Sequence, residues 1–176
     1  MKKSIKNIIT VLGVCLLILP ATLSFAQRTQ NEKSPPVFVS QKVGKKLVTI
    51  EYNAPSVRGR TIGKDLEPMP GKVWRTGADS ATIFKVDKKV KIEGKKLAAG
   101  RYALFTIAGD KEWTIIFNKT TAQWGAYNYK PEDDVLRVIV NPEKAKDFAE
   151  QMKFNIDPNG TVSLLWGDNN VKFHVK

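Results

Sequence analysis

The chain has 176 residues, with 29 basic and 17 acidic side chains and a formal net charge of +12. A chain of this length has room for one domain that buries roughly two-thirds of the surface of its unfolded state. With one histidine, His174, and one cysteine, Cys15, the sequence excludes a closed zinc site and gives little support to a histidine-activated nucleophile.

Residues 1–26 have the pattern of a cleaved secretory signal. Lysines at positions 2, 3 and 6 make the start positive, an uncharged apolar run extends from Ile8 to Leu19, and small residues occupy positions 24 and 26. The run is shorter than the roughly 18 apolar residues that span a bilayer. We therefore predict cleavage between Ala26 and Gln27 and export to the periplasm or the medium, with an uncleaved helix as the alternative.

The charge of the exported chain bears on its partners. Cys15 follows Val14, where a lipoprotein signal has Gly, Ala or Ser, so we expect no lipid anchor. After cleavage, 26 basic and 17 acidic side chains leave a net charge of +9 and no cysteine. This charge favours anionic partners, among which we expect an envelope component or a small molecule and not nucleic acid. Alternatively, the lysine pairs at 45–46, 88–89 and 95–96 only keep turns and sheet edges soluble.

The first half of the domain is predicted to be strands and turns. Residues 27–36 are polar and end in two prolines, which predicts a flexible lead-in to a domain over residues 37–176. Val37–Val43 and Leu47–Asn53 predict a hairpin, because apolar and polar residues alternate in the second segment. Residues 54–72 form a long connection, of a length that is often functional. Strands at 73–75, 81–86 and 90–93 and a turn at 94–100 follow.

The second half contains the most apolar segments. Residues 101–107 and 112–118 carry apolar side chains at successive positions, which indicates strands buried on both faces. After a strand at 135–140, good helix formers follow a proline at 142–152 and predict a short helix or turn. A strand around Phe154, a turn at 157–160, and a hairpin of 162–166 with 171–175 around a turn at 167–170 complete the chain.

These elements predict the fold class. About ten short strands, frequent turns and at most one short helix indicate an all-β fold. We favour a two-sheet β-sandwich of jelly-roll or immunoglobulin-like type. The strand order does not follow from the sequence.

The candidate ligand-binding residues are Arg75, Trp124, Tyr127, Arg58, Arg60 and Arg137. All of them except Arg137 fall in three clusters. The planar fork of Arg75 suits a carboxylate or a phosphate, although it could instead be locked in an ion pair with Asp79 or Asp134. The aromatic side chains of residues 124–129 suit stacking on a sugar ring, or they cap the core. Arg58 and Arg60 form an anion site or only a solvated loop.

No motif in the chain identifies a reaction. The patterns G-x-S-x-G and H-E-x-x-H, a phosphate loop and a dinucleotide fingerprint are missing, so no catalytic residue, metal ligand or cofactor is assigned. The leading hypothesis is a non-catalytic envelope or secreted binding domain for a small anionic or sugar-like ligand. A hydrolase of glycans or phosphoesters that uses paired carboxylates is one alternative, and a structural or assembly module is the other.

Four stretches of the chain resemble a known family, the domain of unknown function 2911 of exported bacterial proteins. They are residues 71–78 (GKVWRTGA), 94–105 (GKKLAAGRYALF), 113–119 (WTIIFNK) and 124–127 (WGAY). The likeness extends from about Ser34 to the end of the chain. The resemblance implies an exported single domain, and it brings no established activity from which a catalytic residue could be carried over.

Overall fold

The structure, a computed structural model, describes residues 33–176, so the predicted signal and residues 27–32 lie outside the described residues. The described chain is all-β, as predicted, with a 3₁₀ turn at Pro131–Asp133. Its strands are β1 (Pro36–Val43), β2 (Lys46–Asn53), β3 (Val73–Trp74), β4 (Ala78–Val86), β5 (Val90–Ile92), β6 (Lys95–Leu97), β7 (Gly100–Ala108), β8 (Trp113–Asn118), β9 (Asp134–Val140), β10 (Glu143–Ile156) and β11 (Thr161–His174). Between residues 33 and 176, no helix is long and apolar enough to cross a membrane.

The larger layer of the fold is an antiparallel meander in the order β1-β2-β4-β7-β8-β9. The predicted hairpin of β1 and β2 is confirmed, with Val43 paired to Lys46 across the turn. Strand β3 pairs with residues 106–107 at the end of β7, and β4 pairs with residues 100–104 on the same side of β7. As a result, the chain between β3 and β4 makes a tight turn at one end of the sheet.

The second layer is built around the long hairpin of β10 and β11. The small hairpin of β5 and β6 extends this layer, because Ile92 pairs with Val175 at the end of the chain. The two layers enclose the core, in which Phe173 of β11 lies 6.1 Å and 6.0 Å from the rings of Phe84 and Phe117. The predicted two-sheet sandwich is therefore confirmed, and the larger sheet has the order of a meander.

Residues 143–152 form the first part of strand β10, so the predicted short helix or turn is wrong. Helix propensity is a weak local preference, and pairing with a long neighbouring strand overrides it here. The pairing register shifts between Lys144 and Ala149 and again before Lys153. Such bulges change which residues face the core, so that Ala145 and Met152 are both buried despite their odd spacing.

Residues 161–174 form one continuous strand, so the predicted hairpin around residues 167–170 is wrong as well. Gly167 has a φ of 58° and pairs with Ala149 inside the strand. It marks a bulge, because Trp166 before it and Val171 after it both reach the core. Another difference lies in residues 94–100, where Lys95–Leu97 pairs with β5 instead of forming only a turn.

Strands β7 and β8 are buried on both faces, as predicted. Their inner face carries Leu104 and Phe117, while Ala103, Phe105 and Ile116 form a separate buried cluster on the outer face of the large sheet. Tyr129 and Ala126 pack over this outer cluster. The segment that covers the outer face is residues 119–130, which we call the aromatic loop.

Candidate functional site

A pocket of about 480 Å³ opens where the chain leaves β2 and enters β4, and we call it the arginine pocket. Arg58, Arg60 and Arg75 all line it. The structure therefore brings together three of the residues that the sequence singled out, from two segments of the chain. Lys33 adds a fourth cation, and Glu67 and Asp79 supply the carboxylates on its wall.

Arg75 is held by a rigid turn. The indole Nε1 of Trp74 donates a hydrogen bond of 3.1 Å to the carbonyl of Gly77, and the Thr82 hydroxyl donates one of 2.7 Å to the carbonyl of Thr76. Trp74 and Thr76 are fully buried, whereas Arg75 between them is partly exposed. The turn thus fixes the backbone of Arg75, whose side chain lines the pocket.

The guanidinium of Arg75 has no acidic partner in the described part of the chain. Its Nε is buried and lacks a hydrogen-bond acceptor among residues 33–176. The expected alternative, an ion pair with Asp79 or Asp134, is not formed among the described residues, and Asp134 pairs with Arg137 instead. A buried donor without an acceptor is costly, which makes this position the chemically unsatisfied point of the pocket.

The other two arginines also lack a carboxylate partner within residues 33–176. The guanidinium of Arg60 donates to the carbonyls of Ser56 and Val57 at 2.7 Å and 3.0 Å, and that of Arg58 donates to the carbonyl of Lys33 at 3.3 Å. Hydrogen bonds to carbonyl groups orient a guanidinium without neutralising its charge. The rim of the pocket is therefore positive and pre-oriented.

Backbone strain is concentrated around the pocket. Arg58, Thr76 and Asp79 have φ values of 51°, 57° and 55°, in the left-handed region that side chains other than glycine rarely adopt. Such residues cost about 1–3 kcal/mol each and persist where the surroundings hold them. Here Glu150 accepts a hydrogen bond of 2.8 Å from the Arg58 N–H, and Gly125 donates one of 2.9 Å to the Asp79 carbonyl.

The aromatic loop lies directly beside the arginine pocket. Trp124 forms a β-bridge with Ser80, and the neighbouring Gly125 bonds to Asp79, which lines the pocket. Trp124 is 62% exposed and lines an adjoining hollow of about 430 Å³ that shares Lys33 and Asp79 with the pocket. It therefore does not cap the core; Tyr129 covers the outer cluster instead.

Two clamps hold the ends of the aromatic loop. At its start, the Thr120 hydroxyl donates to Asp133 at 2.8 Å; this bond, aided by Lys119, lowers the pKa of the Asp133 carboxyl. At its end, the Tyr129 hydroxyl donates to Asp134 at 2.7 Å and accepts from Arg137 at 2.7 Å. Burial, together with the Asp134 carboxylate, raises the pKa of Tyr129 to about 12.

Two of the candidate residues do not line the arginine pocket. Arg137 lies on the outer face of β9, where its Nε donates to Asp134 at 2.6 Å, and this bond raises the pKa of its guanidinium. Tyr127 is 85% exposed, and its ring lies over Gly125, where a Cβ would come within 2.7 Å of it. Arg137 therefore acts in the clamp of the aromatic loop, and Tyr127 stands at the surface.

Sequence reasoning missed Lys33, Glu67 and Trp166, which also line the pocket. Val162, Leu164 and Trp166 occupy alternate positions of β11, a pattern that predicts only a place in the core, and Trp166 is indeed fully buried. Its Nε1 donates to the carbonyl of Glu67 at 2.8 Å, which ties the long connection to the second layer. No signal in the sequence places Lys33 or Glu67 at a site, because only the fold brings these loops together.

The chain matches a protein family, described as proteins of unknown function (DUF2911), over residues 34–175. The chain belongs to this family. No curated protein and no solved structure was found to match it. The resemblance expected from the sequence is thus confirmed, and two of the four stretches that carry it, residues 71–78 and 124–127, lie at the arginine pocket and on the aromatic loop of this DUF2911 chain.

The described part of the molecule contains no candidate metal site. Among residues 33–176, no group of three His, Asp or Glu side chains is placed to hold a metal ion. His174 lies on β11, where its Nδ1 is 2.9 Å from the Glu93 carboxylate at the surface. The side chains that the site presents are guanidinium groups and, in the adjoining hollow, an exposed indole.

Proposed function

We propose that this DUF2911 chain is an exported binding domain whose arginine pocket holds the anionic group of a small acidic or sugar-like ligand. The observation that carries the proposal is Arg75: a guanidinium on a rigid turn, with a buried Nε that lacks an acceptor in the described chain. An anion bound there would supply that acceptor. Charge-assisted hydrogen bonds from a guanidinium fork are among the stronger ones in proteins.

The size and the wall of the pocket support the same ligand class. Its volume of about 480 Å³ falls within the range of roughly 300–1,000 Å³ that is typical of small-molecule sites. Four cations face two carboxylates, so the pocket carries a net positive charge. Glu67 and Asp79 can accept hydrogen bonds from hydroxyl groups, which an acidic sugar provides alongside its carboxylate.

Calorimetric titration of the purified protein with galacturonate tests the proposal, with galactose as the uncharged control. We expect galacturonate to bind and galactose to bind at least about tenfold more weakly, since a lost charged contact exceeds the 1.4 kcal/mol that corresponds to tenfold. Citrate and inorganic phosphate, titrated in parallel, identify the preferred anion. If none of the three anions binds, the proposal fails.

Variants locate the binding. Arg75→Ala is expected to abolish anion binding, and Arg75→Lys to restore only part of it, because lysine keeps the charge but lacks the planar fork. Lys89→Ala is the matched control: it removes one positive charge in the turn after β4, at the far end of that strand from the pocket. Equal losses from Arg75→Ala and Lys89→Ala would show that only net charge matters.

A second candidate function rests on the two carboxylates of the pocket. Glu67 and Asp79 line the same space, as a hydrolase of glycans or phosphoesters would require. The backbone N–H of Met69 donates to Glu67 at 2.9 Å, which orients this carboxylate. Release of nitrophenol from nitrophenyl glycosides or phosphates, lost in both Glu67→Gln and Asp79→Asn, would favour the hydrolase over the binding domain.

Export is the other part of the proposal. Its support is the charged start, the apolar run and the small residues before Gln27 in the sequence. The intact mass of the protein recovered from the periplasm or the medium tests it. We expect a chain that begins at Gln27, and a mass that retains residues 1–26 or includes a lipid on Cys15 would contradict this part alone.

A further inference from the structure

Two further hollows follow the arginine pocket through shared wall residues. The pocket shares Lys33, Ser34 and Asp79 with the hollow beneath Trp124. That hollow in turn shares Asn53 and Ser80 with a third hollow of about 390 Å³ on the outer face of β1, β2 and β4. The three spaces therefore adjoin in series, and we call them together the groove.

The character of the groove changes along its length. The pocket at one end holds three arginines without carboxylate partners in the described chain. The middle is flanked by the indole of Trp124. At the far end, Phe38 is 65% exposed, next to Arg101, which forms a two-pronged ion pair with Glu51 at 2.8 Å and 3.0 Å.

From this arrangement, and on the basis of the binding function proposed above, we infer that the ligand is an acidic oligosaccharide that lies along the groove. An acidic sugar places its carboxylate at Arg75, and the following sugars lie against Trp124 and Phe38. Flat apolar faces of this kind suit the apolar face of a sugar ring. Glu51 and Arg101 together offer an acceptor and a donor, which suits hydroxyl groups better than a second free charge.

The backbone of the groove argues against an extended peptide as the occupant. A bound peptide strand takes much of its affinity from unpaired backbone groups at a sheet edge. The third hollow lies on the face of the sheet, where Phe38 pairs with Glu51 and Glu51 with Ile83. Because the hollow extends across the face of β1, β2, β4 and β7 and not along the outer edge of β1, the terminal strand, a ligand there depends on side chains, as oligosaccharides do.

The test is the dependence of affinity on chain length. Oligomers of one to five sugars that carry one galacturonate, at one end, followed by neutral galactose are titrated into the purified protein, with uncharged galactose oligomers as the reference. We expect the affinity to rise by at least about tenfold from the monosaccharide to the trisaccharide, since stacking on one aromatic side chain is worth roughly that factor, and then to level off.

Substitution of the exposed aromatic side chains separates the groove from the pocket. Trp124→Ala and Phe38→Ala should remove most of the gain with length and leave monosaccharide binding unchanged, because neither residue lines the arginine pocket. Tyr127→Ala is the matched control, as Tyr127 lies in the same loop and lines none of the three hollows. Thermal melts of each variant confirm that it is folded.

Each outcome decides between the two proposals. Equal affinity for all lengths, with binding still lost in Arg75→Ala, overturns the groove and leaves the pocket. No binding of galacturonate or of any oligomer overturns the groove, and the pocket proposal falls with it only if citrate and phosphate also fail to bind. If an oligo-glutamate peptide shows the same gain with length and the same dependence on Trp124, the groove stands but its occupant is a peptide, and the inference of an oligosaccharide is wrong.

Discussion

The clamp at the end of the aromatic loop, formed by Tyr129, Asp134 and Arg137, can be tested at Tyr129. Its hydroxyl donates to Asp134 at 2.7 Å and accepts from Arg137 at 2.7 Å, and its ring centroid lies 5.0 Å from that of Phe105. Tyr129→Phe removes the hydroxyl and keeps the ring. Tyr129→Ala removes both, so the pair of variants separates the hydrogen bonds from the cover over the outer cluster.

The expected magnitudes follow from what each variant leaves behind. In Tyr129→Phe, the Asp134 carboxylate keeps its bonds from Arg137 and from the Asn118 amide at 2.8 Å, so no buried charge is orphaned. We expect a loss near the lower end for a hydrogen bond to a charged group, about 1.5 kcal/mol. Tyr129→Ala also loses the contact with Phe105 and exposes the outer cluster, for a total of about 3–5 kcal/mol.

Thermal unfolding measures both losses. A domain of about 150 residues shifts its melting temperature by about 3 °C per kcal/mol, which gives shifts of roughly 5 °C for Tyr129→Phe and 10 °C or more for Tyr129→Ala. Tyr127→Phe and Tyr127→Ala serve as controls from the same loop and should stay within about 0.5 kcal/mol of the parent, since Tyr127 is exposed. If Tyr129→Phe loses no more stability than Tyr127→Phe, the Tyr129 hydroxyl does not stabilise the clamp. If Tyr129→Ala costs no more than Tyr129→Phe, the loop does not cover the outer face.

Three further predictions address pH, the backbone and the core. The raised pKa of Tyr129 means that the folded state holds the phenol proton more tightly than the unfolded state, so the stability that this hydroxyl contributes is complete below pH 10 and disappears as the pH rises through about 12. The difference in urea unfolding free energy between the parent and Tyr129→Phe should therefore shrink from pH 9 to pH 11. A constant difference would show that Tyr129 does not titrate in this way. Gly160 has a φ of 93°, and a Cβ there would overlap the Val175 carbonyl, so Gly160→Ala should cost more than about 3 kcal/mol of unfolding free energy. Gly44 has a φ of 60° and open space around it, so Gly44→Ala should cost only about 1 kcal/mol. Equal costs would show that the overlap at Gly160 relaxes. Phe117→Ala should lose about 3–5 kcal/mol in the same urea assay, because this ring is fully buried between the layers, and a loss below 1 kcal/mol would place it outside the core.

Local rules account for much of what the sequence predicted correctly. The alternation of Val48, Ile50 and Tyr52 predicts a half-buried strand, since side chains of a strand point to opposite faces in turn. The continuous apolar character of β7 and β8 predicts burial on both faces, which the aromatic loop completes on the outer side. The four stretches 71–78, 94–105, 113–119 and 124–127 predict the family, because the order of such motifs along a chain is itself specific.

The path of the two longest strands was decided only by tertiary structure. Residues 143–152 are good helix formers, yet they become strand because β11 lies alongside and pairs with them. Gly167 breaks the alternation as a turn would, but in the long hairpin it forms a bulge that changes which side of the strand faces the core. A pattern within one segment cannot contain this information, since the deciding hydrogen bonds come from the partner strand.

The candidate site shows the same division. The sequence by itself determined which side chains are capable of gripping an anion or stacking on a ring: Arg58, Arg60, Arg75 and Trp124. Tertiary structure decided which of them meet, because residues 33, 58, 75 and 166 become neighbours only when the long connection packs between the end of the large sheet and β11. It also decided that Arg137 belongs to the clamp at the end of the aromatic loop, where Asp134, three residues away along β9, lies 2.6 Å from its Nε.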